Sequence, residues 1–312
     1  MDKLDLQIMT KLMQDSRMPV TQLAKKVGVS REVANYRLSK LKEDKVILNF
    51  VTEINLARLG YIGAAVFANV KATRQKEFIG FLGSCSFASW VAELAGVWSC
   101  GLSVYGKTND ELDEKFLTIY EGFKTDIIDH RFTLHRRSLF FYEKYFGAPP
   151  KPEKHKRHTE YKLDVKDKLI LKELALNSRI SSVELAKKVS LSAPAAIQRM
   201  RNLENGGYID KYSIFVDISK LGLFQYSVFI VNKNIDERER LISYLTNHES
   251  VPFIAEYVGD PFMEFGLIVK DPYELRKILQ GIEEAFPDNR VIEISLFQKE
   301  VVSVGPPPCV FE

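Results

Sequence analysis

The chain has 312 residues, 46% hydrophobic and 27% charged, with a net charge of +3. It is too apolar for a disordered chain and too charged for a membrane protein, and its longest apolar run, residues 61–70, is broken by Gly63 and Asn69. Cys85, Cys100 and Cys309 stand far apart, which excludes a disulfide framework and a zinc ribbon. With no leader-like start, the expectation is a cytoplasmic protein with no membrane partner, no metal and no cofactor.

Leu4, Ile8 and Leu12 have helical spacing over residues 4–16, with Asp5 in the first turn, where a carboxylate suits the helix dipole. Thr21 is the expected cap of a short second helix that ends at Gly28. Ser30 is the expected cap of a third helix reaching about Asp44, with Ala34, Leu38 and Leu41 as its buried stripe. Two helices joined by a short glycine-containing turn form a helix-turn-helix pattern. The β-rich run 46–54 that follows is expected to form a wing. Residues 62–72 then read as a strand, 76–82 as a helix, and 87–94 with 98–105 as a hairpin turning at Ala95-Gly96-Val97. Leu112, Phe116, Tyr120 and Phe123 mark a helix, and 131–142 is a last strand. The order β-α-β-β-α-β is the ferredoxin-like arrangement, with helices on one face only. Its other face, near Phe67, Trp90 and Trp98, then needs a partner or exposes an apolar patch.

The sequence then repeats itself. At an offset of 162, Leu23-Ala24-Lys25-Lys26-Val27 meets Leu185-Ala186-Lys187-Lys188-Val189, and 17 of the 56 positions from 5 to 60 are identical in one ungapped register. Chance does not hold a register that long. In the second copy Ser192 is the expected cap, and Pro194 sits in the first turn, where its missing N–H costs little. Strands 226–232, 254–258, 263–269 and 291–297 and helices near Leu241 and Leu275 follow in the same order. The expected domains are a winged helix-turn-helix at 1–60, a ferredoxin-like sandwich at 61–146, a basic Pro/Lys linker at 147–162, a second winged helix-turn-helix at 163–222 and a second sandwich at 223–312. The fold class is α+β, two tandem copies of one two-part unit.

Charge follows this division. Net charge is +4 over 1–60, 0 over 61–146, +3 over 147–162, +3 over 163–222 and −7 over 223–312. Positive charge thus sits on the helical segments and linker, where contact with double-stranded DNA needs it. On the third helix of the first copy, Arg31, Asn35, Tyr36, Arg37, Ser39 and Lys40 are the candidate reading residues. The second copy offers Gln198, Arg199, Arg201 and Asn202, with Ala193 and Ile197 to meet thymine methyls. The two faces differ, so they are expected to prefer unlike half-sites.

The chain resembles the Lrp/AsnC family of transcription regulators, through Leu-Ala-Lys-Lys-Val-Gly-Val-Ser over 23–30 followed by Arg37-Leu38 and Leu41. The second copy carries the resemblance through 192–204 and Gly207-Tyr208-Ile209. The resemblance implies that the sandwiches pair through their sheets and bind a small effector such as an amino acid near the hairpin loops, at Gly96, Gly259 and Asp260. A fused pair would act as an intramolecular pseudo-dimer, itself open to homo-oligomer formation. Pro261-Phe262 and Val97-Trp98 depart from the family's hairpin pattern, which puts the effector site in doubt, above all in the first copy. The alternative is a haem-precursor decarboxylase on the same fold, for which His130, Arg131, His135, Arg136 and Arg137 are the candidate residues. His130 and His135 lie an odd number apart on one strand and face opposite sides, so a polar surface strand is preferred, and the protein is expected not to be an enzyme.

Overall fold

The computed structural model describes residues 1–150, 158–232, 234–259, 261–303 and 305–311. In chain order the elements are α1 (Lys3–Gln14), α2 (Val20–Val27), α3 (Arg31–Glu43), β1 (Ile47–Ile54), β2 (Ile62–Val70), α4 (Gln75–Ser84), β3 (Ala88–Gly96), β4 (Cys100–Gly106), α5 (Asn109–Phe123) and β5 (Ile127–Phe140). They continue with α6 (Val165–Leu176), α7 (Ser182–Lys188), α8 (Ala193–Asn205), β6 (Ile209–Val216), β7 (Phe224–Asn232), α9 (Arg238–Asn247), β8 (Phe253–Val258), β9 (Met263–Val269), α10 (Pro272–Ala285) and β10 (Asn289–Ser303). They fold into two compact units. One holds the described parts of Met1–Tyr61, Lys151–Asp217 and Val304–Glu312, the other Ile62–Pro150 and Ile218–Ser303.

In the first unit the helix ends follow local chemistry. Ser30 Oγ accepts the Val33 N–H at 3.2 Å and Ser192 Oγ the Ala195 N–H at 3.4 Å, so both third helices start where a hydroxyl can satisfy a free donor. Gly28 takes the left-handed conformation, φ 74°, that closes α2. Thr21 is not the cap: the cap lies two residues earlier, at Pro19, whose φ −58° and ψ 143° start α2 at Val20 without a side-chain hydrogen bond. The expected wings are also arranged differently. β1 does not turn back beside its own helices. It pairs antiparallel with β6, with Val51 opposite Ser213. The exchange is tied by side chains: Thr52 Oγ1 donates to the Leu174 carbonyl at 2.6 Å, and Ser213 Oγ to the Met13 carbonyl at 3.1 Å.

The second unit is a closed eight-stranded barrel in the order β10-β3-β4-β2-β5-β8-β9-β7. Each half supplies four strands in ferredoxin-like order, with its helices packed outside. Ala64, Val66, Phe78, Leu82 and Leu102 centre one helix–sheet core, and Val228, Leu241, Leu245, Phe265 and Phe286 the other. Closure depends on β5 and β10, which run 14 and 15 residues. The first part of β5 pairs with β2 and the rest with β8; β10 pairs first with β7 and then with β3. Irregular registers at His135/Arg137, Phe297/Lys299 and Glu300/Val302 mark where each strand bends onto the other sheet.

The sheet face left bare in the sequence reading is thereby covered. Phe67, Trp98, Leu94 and Ala65 meet Phe229, Ala255 and Tyr257 inside the barrel. Phe67 and Phe229 stand edge to face, 4.9 Å between ring centres and 89° between planes. Phe67 is fully buried, so Phe67→Ala is expected to lower unfolding stability by about 3–5 kcal/mol. Urea denaturation followed by tryptophan fluorescence measures this, and a loss under about 1 kcal/mol would contradict a packed barrel interior.

Candidate nucleic-acid interface

Each reading helix shows one exposed face. On α3, Arg31, Asn35, Tyr36, Ser39 and Lys40 are exposed, and no hydrogen bond or ion pair holds their side chains among the described residues. Tyr36 is 62% exposed and Val33, one turn earlier, 41%. On α8, Gln198 and Arg201 are exposed, Asn202 half-buried and Ile197 37% exposed. Gln198 Nε2 donates to Asn202 Oδ1 at 3.0 Å, one turn on, which presents the two amides as one polar ridge. Two of the predicted contacts lie elsewhere. Arg37 Nη1 reaches Asp2 at 2.7 Å and Asp5 at 3.3 Å, and Arg199 Nη1 reaches Asp164 at 2.7 Å and Asp167 at 2.9 Å. Those carboxylates form the capping boxes of α1 and α6. The two arginines are therefore correctly placed on the third helices but brace them against the first, each using its charge on two carboxylates.

What holds the two readers to each other within this unit was not visible in the sequence reading. Ser16 Oγ and Ser178 Oγ meet at 2.6 Å, fully buried. Arg17 Nη1 donates to the Ser178 and Ile180 carbonyls at 2.5 and 3.0 Å, and Arg179 Nη1 returns to the Ser16 carbonyl at 2.8 Å. The guanidiniums lie over Tyr212 and Phe50, 5.4 and 5.2 Å from the ring centres. The signal was present: Ser-Arg recurs in both copies just after the first helix, where the repeat alone did not say that the two would touch.

The predicted effector positions divide. Asp260 lies outside the described residues, as do residues 151–157 of the linker. Gly259 has φ 99° with open space where a side chain would stand. Gly96 has a packing role: a Cβ there would lie 2.6 Å from the Ile294 carbonyl oxygen, so the glycine is what lets β10 approach β3. Among the described residues no cluster of His, Cys, Asp or Glu could hold a metal ion, and no helix is long and apolar enough to cross a membrane.

Of the candidate decarboxylase residues, Arg131 and His135 are committed to internal partners. Arg131 binds Glu293 through two hydrogen bonds of 2.5 Å, and Trp98 Nε1 donates to the same carboxylate at 2.8 Å. His130 packs on Phe116 and Tyr120, while His135 lies inside the barrel against Tyr257 and Tyr105. The two histidines do face opposite sides. Burial pushes His135 down to about 4, so it stays neutral. Burial pushes the Cys100 thiol up to about 12, which makes it an unreactive core group.

An N-terminal three-helix unit with its third helix exposed, joined to a ferredoxin-like sheet, fits the helix-turn-helix class of DNA-binding proteins. Comparison with known proteins agrees. Residues 1–42 match the AsnC-type helix-turn-helix domain and residues 163–210 a winged helix-turn-helix DNA-binding family. An HTH-type transcriptional regulator of Pyrococcus abyssi is 44% identical over 148 residues, 46% of this chain and 96% of its own length. The regulator LrpC of Bacillus subtilis is 36% identical over 98 residues, 31% of this chain and 68% of that one. The regulator AzlB of the same organism is 35% identical over 94 residues, and the match spans 30% of this chain and 60% of AzlB. The chain belongs to the Lrp/AsnC family of helix-turn-helix transcription regulators. Among solved structures, the siroheme decarboxylase NirDL matches 98% of this chain and 94% of its own with a TM-score of 0.64 at 16% identity, a likeness of fold.

One buried acid gives the barrel a pH signature. Glu264 accepts hydrogen bonds from Ser227 and Tyr257 inside the barrel, and burial raises its carboxyl to about 7 despite both. The folded chain therefore keeps a proton that the unfolded chain, titrating near 4.5, gives up. The stability this group contributes is complete below about pH 4.5 and is lost as pH rises through 7, a swing of about 3 kcal/mol. His135 acts in the opposite sense, its contribution being complete above 6.5 and lost as pH falls toward 4. Glu264→Gln removes only the first effect. Thermal melts from pH 5 to 8 are expected to show wild type losing stability relative to the variant as pH rises, and a pH-independent difference would contradict the buried, protonated acid.

Proposed function

We propose that the chain is a sequence-specific regulator that binds double-stranded DNA through two unlike helix-turn-helix units, as a pseudo-dimer within one chain. The observation that carries this reading is the paired third helices, each free on one face and braced on the other by Arg37 or Arg199, in a unit joined by the β1–β6 exchange. In this reading Arg31, Asn35, Tyr36, Ser39 and Lys40 contact one half-site, and Gln198, Arg201 and Asn202 the other. Arg37 and Arg199 set the angle of the helices that carry them. The tandem organisation, with readers at 1–60 and 163–222 and sandwiches at 61–146 and 223–312, derives from the fusion of two family-type subunits. Gly259 and Asp260 are the positions proposed for a small effector such as an amino acid, and higher homo-oligomers would form between pseudo-dimeric chains.

The fold likeness to NirDL favours a second reading, decarboxylation of a haem precursor. Against it stand the neutral, buried His135 and the Arg131 side chain bound to Glu293. Absorbance of the purified chain titrated with an iron tetrapyrrole separates the two readings.

The regulator reading is tested on duplexes recovered from random-sequence selection. Arg31→Ala and Arg201→Ala are each expected to weaken binding by about 5- to 100-fold, with the salt dependence reduced where the lost contact is to phosphate. Melting temperatures of both variants are expected to stay near that of wild type. Fluorescence anisotropy at fixed salt checks the affinities, and unchanged binding in both variants would overturn the assigned faces.

A further inference from the structure

The two seams that close the barrel are chemically unlike. At the β3–β10 seam, Glu93 stands opposite Lys299, Gln75 Nε2 lies 3.5 Å from the Glu93 carboxylate, and Glu300 accepts the Trp90 indole N–H at 2.9 Å. At the β5–β8 seam, the Glu256 carboxylate is ringed by three guanidiniums. Arg136 Nη1 and Arg137 Nε each stand 2.5 Å from it, and Arg238 Nε 2.9 Å. Consecutive strand residues normally point to opposite faces. The register irregularity between His135 and Arg137 is what lets Arg136 and Arg137 reach one carboxylate together.

The charges at this seam do not balance. Glu256 supplies one negative charge and its side chain is fully buried, while Arg136 and Arg137 remain 48% and 41% exposed. Glu239, 3.6 Å from Arg137 and 70% exposed, is a loose fourth member. Burial would raise the Glu256 carboxyl, but the hydrogen bond and charge of Arg137, with the charges of Arg238 and Arg136, hold it below the usual range. Glu256 therefore stays an anion that fixes the three guanidiniums, and at least one positive charge is left over. Grouped guanidiniums repel one another, and the planar fork of each matches carboxylate and phosphate oxygens.

We propose that the β5–β8 seam is a binding site for one small oxyanion ligand per chain, a molecule bearing carboxylate or phosphate groups that docks on the exposed N–H groups of Arg136 and Arg137. Glu256 is the built-in anion that occupies the inner N–H groups of those guanidiniums and competes with the ligand for their charge, and the β3–β10 seam, with its two glutamates, takes no anion. This site does not depend on the DNA-binding reading, and its test is made without DNA.

The test is calorimetric titration of the full chain with citrate and, separately, inorganic phosphate, at constant ionic strength set by chloride. Saturable binding of one anion per chain is expected, weakened about tenfold or more in Arg136→Gln and in Arg137→Gln and unchanged in Lys299→Gln. Glu256→Gln removes the competing carboxylate and is expected to tighten binding, an effect that a purely structural ion cluster would not give. If that variant does not fold, the Arg136→Gln result decides. Saturation by citrate alone assigns a carboxylate ligand, and by phosphate alone a phosphoryl ligand. No saturable binding of either anion, or equal affinity in both arginine variants and wild type, overturns the proposal.

Discussion

The structure depends on covering the open face of a four-stranded sheet whose helices all lie on the other side. That face carries Phe67, Trp90 and Trp98 in the first half and Phe229 in the second, too much apolar surface to leave in water. The chain covers it with itself. Two such sheets close into one barrel because β5 and β10 are long enough to serve their own sheet first and the other sheet afterwards. The same economy recurs in the reader unit, where β1 and β6 exchange and Ser16 meets Ser178. Because both partners of each exchange lie in one polypeptide, pairing carries no concentration dependence. Residues related by the repeat are then free to diverge, as Tyr36 and Gln198 have on the reading helices, and Arg137 and Glu300 at the seams.

The local parts of this design were legible in the sequence. Ser30, Ser192 and Gly28 act within one helical turn, so their identity alone marks the helix ends. The β-α-β-β-α-β order follows from periodicity, and the need for a partner follows from the aromatic residues on the bare face. What was not legible is what depends on distant partners. The last strand was expected over 291–297; β10 runs on to Ser303, where β3 is there to pair with it. β1 reads as a wing because nothing in its sequence names β6. Arg37 and Arg199 look like reading residues from helical spacing, and only the neighbouring capping boxes show that their charge is already used. Thr21 illustrates the limit of residue preference: a better capper sits two residues too late when Pro19 has already set the backbone.

Charge also acquires a structural meaning. The −7 of residues 223–312 lies outside the helical segments and linker where positive charge collects. Part of it is internal: Glu293 holds Arg131 and Trp98, Glu256 gathers three arginines, and Glu264 is buried with a raised pKa. The acidic half thus supplies the counter-charges for arginines of the first half, a division that ties the two halves electrostatically as well as through the barrel core.

The central claim is that one chain carries two unlike DNA readers that act together. It is tested most directly by the stoichiometry and footprint of the complex formed on selected duplexes, with the mass measured by analytical ultracentrifugation and protection mapped by hydroxyl-radical cleavage. The expected result is one chain per duplex protecting two half-sites of different sequence at a fixed spacing of about one helical turn or a multiple of it. Protection of a single half-site per chain, or of two identical half-sites by two chains, would contradict the account.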